Sequence, residues 1–153
     1  MGHAFECSDC GNPREMMGPC RYCASTTLPN VLIDSIELNI KQRLPTVEQA
    51  LDQLTEYLRR SQELNIKAII LIHGYGSSGE GGRIKRALHE ALEANRYADR
   101  VAEYFYGENV PYGSPAYHDL MKKRPGLKRY MRHFKSSNAG VTVLLLGLGY
   151  RCA

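Results

Sequence analysis

A chain of 153 residues is long enough to bury one ordinary core and a small appendage. Its apolar content of 43% and charged content of 24% are those of a globular protein, and no apolar run approaches the roughly 18 residues of a membrane span, which excludes a helical membrane protein. The net charge of +4 is local: between residues 104 and 135 seven cations, Lys122, Lys123, Arg124, Lys128, Arg129, Arg132 and Lys135, face only Glu108 and Asp119.

The start, Met1-Gly2-His3-Ala4-Phe5-Glu6, has no charged and apolar leader pattern, so a cytoplasmic location is expected. Cys7-Ser-Asp-Cys10 and Cys20-Arg-Tyr-Cys23 follow, two C-x-x-C pairs separated by nine residues. Each pair forms a turn that points two thiolates at one place, and two such turns supply the four ligands of a tetrahedral Zn²⁺. A rubredoxin-like iron site uses the same four sulfurs, and two disulfides are the remaining reading, disfavoured without export. With so little apolar sequence between the pairs, residues 1–27 are expected to form a zinc-ribbon-like module that folds around a structural metal. Pro29 marks a linker into a second unit, residues 28–153.

Ile36, Leu38 and Ile40 alternate with Glu37 and Asn39, as in a half-buried strand. Thr46 and Gln49 form a capping box, and Val47, Ala50, Leu51, Leu54, Tyr57 and Leu58 then give one helical stripe. Residues 67–72 read as a buried strand that ends in His73-Gly74-Tyr75-Gly76-Ser77-Ser78-Gly79. A glycine loop between a strand and a helix brings backbone amides and a helix N-terminus together, an arrangement suited to phosphate. Ile84, Ala87, Leu88, Ala91 and Leu92 set the second helix over 82–94, with His89 on its outward side. Strands are expected at 101–106 and 141–146. Between them residues 107–138 break the pattern, with one short amphipathic helix around Leu127, Tyr130, Met131 and Phe134. Tyrosines in this basic insertion suit stacking on unpaired bases.

The order β-α-β-α-β-β predicts an α/β fold, a two-layer sandwich with a mixed four-stranded sheet and two main helices. Parallel pairing of the first two strands of that sheet brings Glu37, Asn39 and His73 to one edge.

The segments Ile36-Glu37-Leu38-Asn39-Ile40, His73-Gly74-Tyr75-Gly76 and Asn138-Ala139-Gly140-Val141-Thr142-Val143 resemble the L-D-L-H-G, H-G-x-G and final-strand motifs of the Smr domain family. The resemblance covers about residues 31–100 and 138–146. It implies a nuclease acting on RNA, or on nicked or branched DNA, with ribosome-associated messenger cleavage among the activities. It also implies that His73 lies in the active site and that Gly74 and Gly76 shape a phosphate loop. Asn39 stands where the family has histidine, and an amide cannot exchange a proton near neutral pH as an imidazole does.

The expected site therefore has His73, Glu37 and Asn39 as its catalytic group. Gly74, Tyr75, Gly76, Arg83, Lys85, Lys122, Lys123, Arg124, Lys128, Arg129 and Arg132 are the expected nucleic-acid contacts, and Cys7, Cys10, Cys20 and Cys23 the metal ligands. With no carboxylate cluster to hold two metals, cleavage is expected to need no catalytic metal and to leave a cyclic phosphate and a 5′-OH. RNA is the expected partner ahead of DNA, with the ribosome as a further one and no membrane. The alternative is a non-catalytic RNA- or ribosome-binding adaptor that has lost the first-strand histidine. An α/β-hydrolase is excluded by the lack of a G-x-S-x-G elbow, and a P-loop by the lack of G-x-x-x-x-G-K-[ST].

Overall fold

The computed structural model describes residues 3–41, 46–74 and 80–146. Within these limits the chain forms β1 (Phe5–Glu6), β2 (Asn30–Val31), β3 (Ser35–Asn39), α1 (Val47–Glu63), β4 (Ala68–Ile72), α2 (Glu80–Glu93), β5 (Val101–Tyr106), α3 (Pro115–Lys123), α4 (Met131–Lys135) and β6 (Val141–Leu146). A 3-10 segment, Pro125–Tyr130, joins α3 to α4. No helix among the described residues is long and apolar enough to cross a membrane.

The mixed four-stranded sheet expected from the sequence is present, in the order β3-β4-β6-β5. β3 runs parallel to β4, with Glu37 opposite Ile70 and Asn39 opposite Ile72. β6 is antiparallel to both of its neighbours, and all six of its residues are buried. That is why Val141–Leu146 reads as an unbroken apolar run rather than an alternation.

The two faces of the sheet carry separate cores. On one, Ile36, Ile69, Leu71 and Leu144 pack with Leu54 and Leu58 of α1 and Ile84 and Leu88 of α2. α1 begins at the expected capping box, where Thr46 and Gln49 each bond the other's backbone amide.

On the opposite face Ile70, Val143 and Leu145 pack with Tyr117, Leu120, Leu127 and Phe134 of the basic insertion. The insertion thus differs from the open, broken stretch its prolines and glycines suggest. Ser114 caps α3 and Pro115 occupies its first turn, a strong helix start that the pattern of breakers obscures. Tyr117, Leu120 and Met121 then bury one side of α3. The next turn lies so close to β3 that a Cβ on Gly126 would sit 2.7 Å from Ser35 Oγ.

The cysteine-bearing segment is joined to this body. β1 pairs with β2 antiparallel, so the pairing carries the N-terminal segment on to Val31. Phe5 and Met16 enter the α1/α2 core, and Arg60 of α1 donates to Met16 O at 3.1 Å.

Candidate functional site

The cysteines form the tightest cluster. The Sγ atoms of Cys7, Cys10, Cys20 and Cys23 all lie within 4.8 Å of one another, with Cys7 to Cys23 at 3.6 Å and Cys10 to Cys20 at 3.7 Å. Four thiolates at the usual zinc–sulfur distance stand roughly 3.8 Å apart at the corners of a tetrahedron, so the quartet could hold a metal ion as it stands. Backbone amides of Asp9 and Cys10 point at Cys7 Sγ, and that of Tyr22 at Cys20 Sγ. The amide of Cys10, with that of Asp9, holds the Cys7 thiol down at about 6 against the cost of burial. The knuckles close through left-handed residues, Gly11 at φ 78° and Ala24 at φ 62°.

The expected meeting of Glu37, Asn39 and His73 does not occur, because strand alternation separates them. Asn39 lies opposite Ile72, so His73, one residue further, points to the other face of the sheet. His73 belongs to the α1/α2 side and Glu37 to the side of the insertion.

His73 is fully buried. Its Nδ1 donates to Gly74 O at 2.6 Å, which leaves Nε2 to accept from Thr142 Oγ1 at 2.9 Å. Both ring nitrogens are therefore satisfied in the neutral form. Burial drives its pKa down from 6.5 to about 4; the Gly74 carbonyl opposes this, while the charges of His89 and Lys85 add to it. His89 faces inward rather than outward: it stacks on Tyr106 at 3.7 Å and meets His73 edge-on at 6.0 Å. The N–H groups of His73 and Gly74 both bond Gly140 O, at 2.9 and 3.0 Å. The Gly74 amide is thus engaged within the fold rather than presented to phosphate. Gly74 takes φ 78°, which ordinary side chains resist. Tyr75 and Gly76, with the rest of the expected loop to Gly79, lie outside the described residues.

Glu37 is held by two donors from the insertion. His133 Nε2 donates to Glu37 Oε2 at 2.6 Å, and Arg132 bonds the same oxygen. His133 Nδ1 in turn meets Asn138 Nδ2 at 3.0 Å, which fixes the ring as acceptor there and donor to Glu37. His133 is nearly buried, whereas the Arg132 side chain is 64% exposed. A carboxylate oriented by an imidazole beside an exposed guanidinium can take a proton and hold a phosphate at one place. No local pattern points to His133, since 96 residues separate it from Glu37. Asn39 takes no part, because its Oδ1 accepts from the Lys41 amide at 2.8 Å.

The basic residues divide. Lys128 and Arg129 are exposed beside Arg132, and Lys122 is exposed at the end of α3. Lys123 pairs with Glu103 at 2.7 Å, Lys85 with Glu108 at 3.2 Å, and Arg124 turns back to Lys123 O. Arg83 lies on α2, across the sheet from Glu37.

Glu37 also lines a cleft of about 820 Å³ along the outer edge of β3. Its walls come from the cysteine-bearing segment, from Ile36 and Leu38, from Tyr57 of α1 and from Tyr130.

Comparison with known proteins gives a match of residues 40–122 to the family model of the Smr domain. The crystal structure of the Smr domain of Thermus thermophilus MutS2 aligns at 22% identity over 74% of this chain and 96% of that one, with a TM-score of 0.42. No curated protein matches.

Proposed function

Since the chain belongs to the Smr domain family, a nuclease-type fold that binds nucleic acid, we propose that it is an endonuclease cutting RNA at Glu37. The observation that carries this reading is the Glu37 carboxylate held by His133 and Arg132 at the mouth of a cleft.

Glu37 takes the proton of a ribose 2′-OH. The 2′-oxygen forms a bond to phosphorus, the bond to the 5′-oxygen breaks, and that oxygen leaves with a proton from water. The products are a 2′,3′-cyclic phosphate and a 5′-OH, and Glu37 returns its proton to solvent. Arg132 binds the phosphate and offsets the charge that builds on it. His133 is a positioning residue: it fixes the carboxylate through Nε2 while Asn138 fixes the ring. Among the described residues no group of three or more metal-ligating side chains other than the cysteines exists, so Glu37 has no partners for a two-metal mechanism. His73 serves the architecture, tying the end of β4 to β6 through Thr142.

Cys7, Cys10, Cys20 and Cys23 hold a structural Zn²⁺ in this reading, supported by an all-sulfur donor set at tetrahedral spacing. A cytoplasmic setting, in which cysteines stay reduced and can bind metal, is part of this reading. Single-stranded RNA, free or on the ribosome, is the substrate.

The test is incubation of the zinc-loaded chain with end-labelled RNA and DNA in magnesium-free buffer, with fragment ends mapped. Wild-type protein yields cyclic-phosphate ends from RNA alone, and Glu37→Gln cuts at least 100-fold more slowly with binding retained. Salt-sensitive binding without cleavage would overturn the enzymatic reading in favour of a binding adaptor, the role that the engaged side chain of Asn39 favours.

A further inference from the structure

Among the described residues β3 is an edge strand, paired on one side only, and the cleft runs along its other side. We propose that this cleft is a nucleobase site, seating an unpaired base of single-stranded RNA between the sheet edge and the cysteine-bearing segment. This rests on the reading of Glu37 as the reacting group, and it names where the substrate lies.

Three observations carry the proposal. First, the cleft contains Glu37 itself, so a ligand seated there presents its sugar to the carboxylate. Second, its walls mix polar and apolar surface and include aromatic rings. Tyr57, Tyr130 and Met17 offer surfaces for a flat ring, and the volume is that of an ordinary ligand pocket. Arg14, the cation in the wall, donates to the carbonyls of Glu15, Thr27 and Gly18 and so belongs to the segment's own structure. Third, the charge lies where a backbone must pass. Tyr130 stands between the exposed cations Lys128, Arg129 and Arg132, which places phosphates on the rim while the base turns inward.

An extended peptide added to the β3 edge fits less well. Tyr130 Oη already donates to Ser35 O at 2.5 Å, so the start of the edge is capped, and the strand has only five residues. The cysteine quartet takes on a second role here: the segment it shapes forms one wall of the substrate site.

The experiment measures binding of a fluorescent single-stranded RNA to the full zinc-loaded chain carrying Glu37→Gln, so that cleavage does not enter. Tyr57→Ala in that background weakens binding roughly 5- to 100-fold, as expected for the loss of one stacked base. Tyr57→Phe restores it, which separates ring stacking from misfolding, and Leu32→Ala, exposed and outside the cleft, leaves it unchanged. Ultraviolet crosslinking places the RNA on the peptides containing Met16–Met17 and Tyr57. If Tyr57→Ala binds RNA as tightly as its parent while Lys128→Glu with Arg129→Glu does not, the RNA rides on the insertion alone. That result sinks the cleft proposal and leaves the nuclease reading standing. Protection of the β3 edge by an extended peptide that RNA fails to displace would overturn it in favour of a protein partner.

Discussion

The neutral, buried state of His73 makes the stability of the chain depend on pH in a calculable way. Its pKa is about 4 when folded and 6.5 ordinarily, so between those values the unfolded chain binds a proton that the folded chain refuses. Stability is therefore fully present above about pH 7, falls as the pH drops through 6.5, and stops falling from this source below about 4. From pH 7.5 to 5.0 the linkage amounts to about 2 kcal/mol. For a chain of this length that is a fall in Tm of roughly 4–8 °C. The assay is thermal unfolding of wild type and His73→Asn at both pH values, under constant salt. The variant is less stable at pH 7.5, since a buried ring and its bonds to Gly74 and Thr142 are lost, but its melting point should fall less on acidification. Equal losses in wild type and variant would refute the argument, for His73 would then accept a proton in the folded state.

Other consequences are as direct. His133→Ala leaves Glu37 with Arg132 alone in a half-buried place and should cost about 1–3 kcal/mol, read by urea unfolding, with kcat falling more than KM rises. Leu120→Ala removes a fully buried side chain from the core of the insertion and should cost about 2–5 kcal/mol. Gly107→Ala places a Cβ 2.1 Å from Asn138 O, so backbone must shift, and both stability and the Asn138–His133 contact should suffer. Cys20→Ala should abolish tight metal retention, seen by elemental analysis, and loosen β1 and β2 in hydrogen exchange.

Much of this was legible in the residues. The cysteine quartet was, because ligand spacing is local chemistry, and so were β5 and β6, whose expected limits coincide with those observed. The capping box gave the start of α1 for the same reason. α3 was missed although Ser114-Pro115 announces it, since neighbouring prolines and glycines outweighed the cap. The candidate site was legible only in part. Glu37 could be singled out, but its partner lies 96 residues on, and only tertiary packing joins them. The opposition of His73 to Glu37 was within reach: parallel pairing with Asn39 opposite Ile72 already turns residue 73 away. The register was what periodicity left unstated.

The unpaired margin of β3 has a bearing on solubility as well. A bare strand margin is a template for stacking copies of the same chain, and here Tyr130 and the cysteine-bearing segment shield it. Loss of a metal from the quartet, which could hold one, would then do more than loosen a small appendage. It would uncover the sticky side of the sheet, and metal-starved protein should self-associate while the metal-replete form remains dispersed.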